Sequence, residues 1–506
     1  MNEKTAPRLY SAEQSRAIDR LAIEHGADGY QLMQEAANAA FALIRSQWPD
    51  TLHLHIICGT GNNGGDGLVL ARLAQQNGYD VSTYIIGDSQ KFKNEALDAY
   101  LDFKAAGLLS SNLPAKPIRG DKILIIDALL GTGVRHNVRE SHRLAIEWIN
   151  RCDTEKFAID VPSGLCSNTG QVLGAAVQAN KTLSFIARKI GLYQSSAKAL
   201  CGELYFDSLN IPPALYHRVG ASHELLSLAF LRSNLKQRAV DAHKGNFGHV
   251  LIIGGNYGYA GAVLMAGEAC ARMGAGLTSI LTRPEHIAAI VSRQPEIMAH
   301  GIGIDNAHEA QHLIASASHI IIGPGLGQDE WARDHLYQVV KTNKPIIFDA
   351  DALNLIADDA EYFQQLQKSE SNDWIFTPHP GEAARLLQTD NQAIQADRSK
   401  SLMVLHQHYK VTCLLKGASS LICHDAEISL CHAGNPYMAT GGMGDVLSGF
   451  IGGMMAQGLS SADALKLAVS LHAEAADKLV AEQGGQGLLA TDLIANARYL
   501  LNQTED

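Results

Sequence analysis

The feature that most constrains the fold of this chain is a repeated pattern in which an apolar segment leads into a glycine-rich loop and then into a helical segment. The 46 glycines among 506 residues fall mostly in such loops. Strands that alternate with helices in this way form parallel sheets covered by helices on both faces. We therefore expect an α/β fold with its ligand sites at the carboxyl ends of the strands.

Two such series run along the chain. The first opens with a helix predicted over Ser11–Trp48, and the second restarts at His249 after a stretch, 213–236, without a strand pattern. Because 506 residues exceed what one core normally organises, we predict two domains, 1–215 and 225–506. The predicted strands are Leu52–Cys58, Val81–Ile86, Lys122–Asp127, Phe157–Asp160 and Thr182–Phe185, then His249–Ile253, Leu277–Leu281, His319–Ile322, Pro345–Phe348, Trp374–Thr377, Val411–Lys416 and Ser419–Ile422.

Composition and charge indicate a globular protein that acts on small molecules. Hydrophobic residues make up 46% and charged residues 18% of the chain, and the net charge of -11 argues against nucleic acid as a partner. The first twenty residues contain no apolar signal core, no apolar stretch is long enough for a bilayer, and the eight cysteines form no CxxC pair. We expect a reduced, cytoplasmic protein with no membrane partner, and its long apolar helices predict a homo-oligomer.

The first candidate site begins with five glycines in Gly59–Gly67, directly after a predicted strand. Backbone N–H groups without neighbouring side chains can approach an anion closely, and the following helix offers its positive end. A tight strand-to-helix turn is the simpler explanation. Asn62, Asn63 and Asp66, however, add side-chain oxygens that a turn does not need, so the motif favours a ligand site.

Two further loops carry carboxylates at predicted strand ends. Asp127 precedes Gly131–Gly133, and Asp160 precedes Ser163. In a doubly wound sheet these loops converge with the glycine loop on one crevice. Asn63, Asp127 and Ser163 then offer hard oxygen ligands to one cation, and Asp160 remains available for proton transfer. A helix cap is the alternative role for each aspartate alone.

In this order, the motifs Gly-Asn-Asn-Gly-Gly-Asp-Gly, Asp-Ala-Leu-Leu-Gly-Thr-Gly and Asp-Val-Pro-Ser-Gly resemble the NAD(P)H-hydrate epimerase family over residues 10–213. The resemblance implies a Rossmann-like doubly wound domain that interconverts the epimers of hydrated NADH and NADPH at ring carbon 6. It implies K⁺ held by Asn63, Asp127 and Ser163, and we expect Asp160 to carry the proton. Lys189 is either a phosphate ligand or a solvated surface lysine. The implied substrate contacts are Asn62, Asn63, Gly64, Gly65, Asp66, Gly131, Thr132, Gly133, Val134, Arg135, His136, Asn137 and Asp160.

The second candidate site centres on Gly441–Asp445, which enters an apolar helix. Several N–H donors around one carboxylate can hold the charge of a transferring phosphoryl group while Asp445 takes a proton from the attacking hydroxyl. The simpler explanation is a turn in which Asp445 favours the helix dipole. Lys416 can meet a phosphate as a point charge. His379 is either a ligand or a satisfied loop histidine, and Asp349–Asp351 indicates either a cation site or a helix cap.

Together with His319–Gly327, Thr377–Glu382 and Lys416–Ser420, this segment resembles the ribokinase-like superfamily, and most closely its NAD(P)H-hydrate dehydratase branch, over 225–503. The resemblance implies a ribokinase-like α/β/α domain in which Asp445 activates the carbon-6 hydroxyl for attack on ADP. Mg²⁺ is the expected cation there. Asn246 stands where the family commonly has an acid, and we assign it no role. The implied substrate contacts are Ala260, Gly325, His379 and Asp445, and the implied nucleotide contacts are Lys416, Gly417, Ala418, Ser419, Ser420 and Gly444.

The sequence therefore predicts a bifunctional repair enzyme for hydrated NADH and NADPH. It would epimerise the R and S hydrates and dehydrate the S form at the expense of ADP, giving AMP and phosphate. The alternative is a ribokinase-like small-molecule kinase, such as a vitamin kinase, with an N-terminal nucleotide-binding module. A stable phosphorylated product would indicate the kinase, whereas recovered NADH would indicate the repair enzyme. A third interpretation makes the N-terminal half a non-catalytic module.

Overall fold

The computed structural model describes residues 7–194, 196–233, 235, 237–303, 306–366 and 373–503. These residues form two compact units. The first spans Arg8–His223, and the second begins at Glu224, holds the rest of the described chain and includes Pro7. Each unit has a sheet and a hydrophobic core of its own.

The first unit is built on a parallel sheet. After the short strand Arg8–Leu9 (β1), which is not part of this sheet, the strands in the described residues are His53–Cys58 (β2), Asp80–Ile85 (β3), Arg119–Ala128 (β4), Asp153–Ile159 (β5), Lys181–Phe185 (β6) and Glu203–Asp207 (β7). Six of them pair in parallel in the order β3-β2-β4-β5-β6-β7. The order reverses between β2 and β4, which opens a crevice at their carboxyl ends. The predicted Rossmann-like doubly wound sheet is confirmed, and the edge strand β7 is an addition.

Helices cover both faces of this sheet. They are Ala12–Glu24 (α1), Gly29–Gln47 (α2), Asn62–Gln76 (α3), Asn94–Ala105 (α4), Glu140–Arg151 (α5), Ala197–Leu200 (α6) and Pro213–Val219 (α7). On β2, Ile56 belongs to the apolar cluster of α2 and α3, whereas Ile57 belongs to that of α5, as expected for alternating strand side chains. The prediction of one helix over Ser11–Trp48 is wrong. Gly26 adopts a φ of 99° between the two helices, and Asp28 caps α2.

The second unit is also built on a sheet, which is parallel except at one edge. Its strands are His249–Ile253 (β9), Leu277–Thr282 (β10), Met298–Gly301 (β11), His319–Ile322 (β12), Ile346–Phe348 (β13), Trp374–Phe376 (β14), Thr412–Leu415 (β15), Ser420–His424 (β16) and Glu427–Cys431 (β17), and His223–Leu225 (β8) lies at the boundary between the units. The order runs β17-β16-β15-β14-β13-β12-β9-β10-β11, and β16 is antiparallel to both of its neighbours, β15 and β17. The expectation that 213–236 contains no strand is wrong, because β8 lies there.

The helices of the second unit include a deeply buried one near the carboxyl end of the chain. They are Leu228–Arg232 (α8), Ala260–Arg272 (α9), Ile287–Arg293 (α10), Ala307–Ser316 (α11), Glu330–Val339 (α12), Asp351–Asp358 (α13), Ala360–Leu366 (α14), Pro380–Leu386 (α15), Asn391–Ala396 (α16), Arg398–Tyr409 (α17), Met443–Ala456 (α18), Ser461–Gln483 (α19) and Asp492–Leu501 (α20). Gly449 lets α18 pack closely on α9, since an added Cβ would lie 2.2 Å from the Ala266 carbonyl oxygen. Within the described ranges, no helix has both the length and the hydropathy for a membrane crossing.

Candidate functional sites

The first unit contains a cavity of about 770 Å³ at the switch point of its sheet. The loops after β2, β4 and β5 meet there, as predicted: the Asp127 carboxylate accepts from Ser163, and the Asp160 carboxylate accepts from the Thr132 amide at 3.3 Å. Most of the predicted substrate contacts line this cavity, namely Asn62, Asn63, Asp66, Gly131, Thr132, Gly133, Val134, Arg135, His136, Asn137 and Asp160.

Gly64 and Gly65 do not line the cavity. They lie inside α3, which begins at Asn62, within the stretch that we expected to be a loop. An added Cβ on Gly64 would lie 1.9 Å from the Gly59 carbonyl oxygen, and one on Gly65 would lie 2.7 Å from the Met33 sulfur. Gly64 is therefore required by close backbone packing at the first turn of α3, whereas a side chain at Gly65 would have to displace the flexible end of Met33.

The three predicted cation ligands lie next to the cavity and are buried. Ser163 donates from its hydroxyl to Asp127 Oδ1 at 2.6 Å and from its amide to Oδ2 at 2.7 Å. Burial raises the pKa of Asp127 to about 6 against these hydrogen bonds. Asn63 is 8% exposed, and in the described residues neither its Oδ1 nor its Nδ2 has a hydrogen-bond partner. A buried amide without a partner is costly, so this set of oxygens fits a cation.

Asp160 and Lys189 form a buried ion pair beside the cavity. Lys189 is 2% exposed and its Nζ contacts Asp160 Oδ1. The same ammonium donates to the Phe185 carbonyl at 2.6 Å and to the Ser184 hydroxyl at 3.1 Å. The interpretation of Lys189 as a solvated surface lysine is therefore wrong. With three acceptors for its three N–H groups, Lys189 holds Asp160 rather than a ligand phosphate.

Further carboxylates face the same cavity and were not found from the sequence. Asp19 on α1 and Glu95 on α4 line it together with Asp66. Burial, with the negative charges of Asp160 and Asp19, raises the pKa of Asp66 well above its ordinary value. Burial and the charge of Glu95 raise the pKa of Asp19. Asp19 and Glu95 lie on helices outside the glycine loops. In the sequence, a carboxylate that faces a cavity from a helix cannot be distinguished from one on the solvent-exposed face of that helix.

Basic side chains line another part of the cavity, at its exposed edge. Arg16 donates to the Thr132 carbonyl at 3.4 Å, and the Arg135 side chain is 64% exposed. Arg139 and His142 also contribute to the lining. The cavity therefore combines a partly buried acidic end, at Asp19, Asp66 and Asp160, with a basic edge whose Arg16 and Arg135 both pair with Glu13.

In the second unit, three strand ends bring an ion-pair cluster together. Asp349 follows β13, Glu382 lies in the first turn of α15, the helix after β14, and Lys416 follows β15. Lys416 Nζ lies 2.7 Å from Asp349 Oδ1 and 3.9 Å from Glu382 Oε2. The buried Ser448 hydroxyl on α18 donates to Asp349 Oδ2 at 2.8 Å. Asp349 therefore positions Lys416 as its ion-pair partner, a role that neither alternative for Asp349–Asp351, a cation site or a helix cap, included.

Asp445 lies in the first turn of α18, where the charges of Asp349 and Lys416 act on its carboxylate. Burial, followed by the negative charge of Asp349, raises the pKa of Asp445 to about 7, while Lys416 opposes the shift. An added Cβ on Gly444 would lie 3.4 Å from Lys416 Nζ. A carboxylate with a pKa near neutrality at a helix N-terminus is suited to take up a proton.

His379 caps α15. Its Nδ1 accepts from the amides of Gly381 at 3.0 Å and Glu382 at 3.3 Å, and Glu382 Oε2 accepts from the His379 amide at 2.8 Å. The ring is half exposed. His379 is therefore held in place as the cap of α15, and its Nε2 lies 3.3 Å from Glu382 Oε1.

The predicted nucleotide contacts Lys416–Ser420 form the turn between the antiparallel strands β15 and β16. Ala260 and Gly325 lie at the point where the order of this sheet reverses, between β9 and β12. There the Asn256 amide donates to the Gly325 carbonyl at 2.7 Å, and the Gly327 amide donates to Asp351 at 2.9 Å. All of these predicted contacts therefore lie at the carboxyl edge of one sheet.

Two α/β units, each with a charged site at the carboxyl ends of its strands, define a two-site enzyme of the nucleotide-binding α/β class. Residues 250–498 match a family profile described as NAD(P)H-hydrate dehydratase, and residues 29–191 match one described as YjeF-related protein N-terminus. The chain is 44% identical over 98% of its length to 99% of a bifunctional NAD(P)H-hydrate repair enzyme of Coxiella burnetii. It is 41% identical over 94% of its length to 90% of the Escherichia coli enzyme described in the same words. The chain belongs to the family of bifunctional NAD(P)H-hydrate repair enzymes.

A solved structure gives the fold class of the second unit. A ribokinase-like superfamily protein from Enterococcus faecalis is 31% identical and superposes with a TM-score of 0.50, covering 55% of this chain and 95% of its own. The predicted ribokinase-like fold is therefore confirmed.

Proposed function

We propose that the two units carry the two successive steps of NAD(P)H-hydrate repair, with the epimerase at 1–215 and the dehydratase at 225–506. Membership of the repair-enzyme family supports both activities. The first unit converts the R hydrate, which the second unit cannot use, into the S hydrate, which the second unit dehydrates. The substrates are the hydrates of NADH and NADPH, with ADP as the phosphoryl donor.

In the first unit, the charge distribution orients the substrate. The pyrophosphate is anionic, so it favours the basic edge with Arg16 and Arg135 and avoids the acidic end with Asp66 and Asp160. The uncharged hydrated ring then lies at the acidic end. The carbon-6 hydroxyl leaves as water with a proton from Asp160, driven by the ring nitrogen lone pair, and water then adds to the opposite face to give the other epimer. Asp160, which is ion-paired with Lys189, takes its proton back from the added water.

Potassium is the cation that we propose for Asn63, Asp127 and Ser163. The unpartnered Asn63 amide and the buried Asp127 carboxylate support a bound cation. Neutral and singly charged oxygen donors suit a hard cation. When bound, it would offset the charge of Asp127 and tie the three loops together.

In the second unit, the reaction converts a poor leaving group into a good one. Asp445 removes the proton from the carbon-6 hydroxyl, whose oxygen attacks the terminal phosphorus of ADP as AMP leaves. The ring nitrogen then expels phosphate from carbon 6, and loss of a proton from carbon 5 restores NAD(P)H. The observation that carries this proposal is the partly buried carboxylate of Asp445, which interacts with the charge of Lys416 at the N-terminus of α18.

The donor nucleotide would bind at Lys416–Ser420 and Gly444, and the hydrate at Ala260, Gly325, His379 and Asp445. In the described ranges, His, Cys, Asp and Glu form no metal-binding group of three or more. Mg²⁺ is usually held by substrate phosphates and only one or two carboxylates, so we propose that it arrives on ADP. We further propose a cytoplasmic homo-oligomer.

The test supplies both hydrate epimers with ADP, and separately with ATP, and follows the return of reduced-nicotinamide absorbance. The whole chain should recover both epimers with ADP. Asp445→Asn should recover neither, yet still exchange the epimers. A stable phosphorylated hydrate, or an unrelated phosphorylated alcohol as the only product, would favour the small-molecule kinase instead. Unchanged epimer exchange in Asp160→Asn, with binding intact, would favour the non-catalytic module for the first unit.

A further inference from the structure

A buried arginine lies directly behind the proposed nucleotide loop. Arg398 begins α17 and is 3% exposed. Among the residues that the structure describes, no carboxylate lies within ion-pair distance of it. The neighbouring Asp397 carboxylate instead accepts from the Lys400 amide at 3.0 Å. Burying a guanidinium without a counter-ion is costly, so this position needs an explanation.

The guanidinium is bound by the backbone of the loop. Arg398 Nη2 donates to the carbonyl oxygens of Leu415 at 3.2 Å, Lys416 at 3.4 Å and Ser419 at 3.3 Å. These carbonyls flank both sides of the turn between β15 and β16. One side chain therefore fixes the two ends of the loop relative to each other.

This arrangement decides which way the loop amides point. In a planar trans peptide the C=O and N–H groups point in opposite directions. The Leu415 carbonyl faces Arg398, and the Lys416 amide of the same peptide points elsewhere and donates to the Pro378 carbonyl at 2.9 Å. By the same geometry, the amides of Gly417 and Ser420 face away from the guanidinium.

The loop packs tightly on the guanidinium. Gly417 has a φ of 141°, and an added Cβ would lie 2.9 Å from Arg398 Nη1. Ser419, which is buried, has a φ of 62°. The backbone therefore adopts conformations that side chains rarely allow in order to keep its carbonyls on Arg398. An anion on the opposite face would meet N–H groups backed by a positive charge that water does not screen.

We infer that Arg398 is the positioning residue of the phosphate-donor site: it turns the loop carbonyls inward, so that the amides and a buried positive charge face the terminal phosphate of a nucleoside diphosphate. This inference rests on the proposed function, which assigns Lys416–Ser420 to ADP. Arg398 acts through the loop and does not contact the hydrate.

The test compares Arg398→Met, Arg398→Lys and a matched control, Lys400→Met, in the full chain. Lys400 is an exposed cation on the same helix, so its replacement removes a charge without touching the loop. We measure ADP affinity by titration calorimetry, and then KM for ADP and for the S hydrate. Arg398→Met should weaken ADP binding and raise its KM by about tenfold or more, with KM for the hydrate within about twofold. Lys400→Met should change neither.

Arg398→Lys keeps the charge but loses the planar fork, so we expect an intermediate loss of ADP affinity, about threefold.

Epimer exchange on the same chain reports whether the first unit is intact. If Arg398→Met melts below the assay temperature, Arg398→Lys carries the comparison. Unchanged ADP affinity in a folded variant, or an equal rise in both KM values, would overturn the inference. Failure of the wild-type chain to turn over hydrate while ADP still binds would refute the proposed function but leave Arg398 to be judged by the affinities. Failure of the wild type to bind ADP refutes both.

Discussion

Replacing Asp445 with asparagine should stabilise the second unit in neutral buffer while abolishing dehydration. Burial and the charge of Asp349 raise the pKa of Asp445 from its ordinary 3.8 to about 7. The folded protein therefore binds this proton more tightly than the unfolded chain does. Its stability falls as the pH rises from about 4 to about 7, and the loss is complete above that range. One pKa unit corresponds to about 1.36 kcal/mol, so the ionised carboxylate costs about 4 kcal/mol.

Asparagine has nearly the same shape and cannot ionise, so the variant should escape this cost. About 4 kcal/mol already includes the opposing attraction to Lys416, and it is a ceiling because the asparagine amide must itself find hydrogen-bond partners. For a unit of this size each kcal/mol shifts Tm by about 2 °C. The Tm of the variant should therefore exceed that of the wild type by up to about 8 °C at pH 8. At pH 4 this excess should vanish.

Calorimetry of the full chain at pH 4, 6 and 8 measures the difference in Tm, and epimer exchange on the same samples monitors the first unit. Asp463 offers a matched control, because it is an exposed carboxylate in the first turn of the neighbouring helix α19. Asp463→Asn should give no pH-dependent gain. A Tm difference for Asp445→Asn that is the same at pH 4 and pH 8 would refute the reasoning, as would dehydration by that variant with ADP.

Three further predictions concern the first unit. Lys189→Met leaves Asp160 buried without its partner, which costs about 3–5 kcal/mol, so a thermal melt should show a lower Tm and epimer exchange should stop while dehydration of the S hydrate continues. Asn63→Leu removes an amide oxygen, so epimer exchange rates measured in potassium and in lithium salts should become equal; a retained potassium preference would contradict the assignment. Gly64→Ala would bring a Cβ within 1.9 Å of a backbone carbonyl oxygen, whereas a Cβ at Gly61 meets nothing within 4 Å. Only Gly64→Ala should therefore lower Tm or solubility, and equal Tm values for the two variants would contradict the packing argument.

The convergence of Asp127 and Ser163 could be predicted from the sequence, because each follows a strand with a clear apolar pattern and strand order brings such loops together. The break at Gly26 could not, since a single glycine inside a helical pattern is often tolerated. Strand β7 was missed because a partly exposed edge strand carries a weaker apolar signal than a central strand, and β17 was missed because it is the short second strand of a hairpin.

The environments of Lys189 and Arg398 could not be read from local patterns. Lys189 is buried because Asp160, 29 residues away in sequence, neutralises it. Arg398 is buried because carbonyls 17 to 21 residues further along the chain accept from it. In both cases the signal is a contact between distant segments, so only the folded chain distinguishes these side chains from solvated cations.

The backbone of Asp160 limits how this enzyme can change over evolution. Its φ of 67° lies in the left-handed region, which asparagine and glycine tolerate better than other residues. One nucleotide change in an aspartate codon yields either of them. A lineage could therefore lose the charge at this position in a single step while keeping the fold and its cavity, and retain a first unit that holds dinucleotides without converting them.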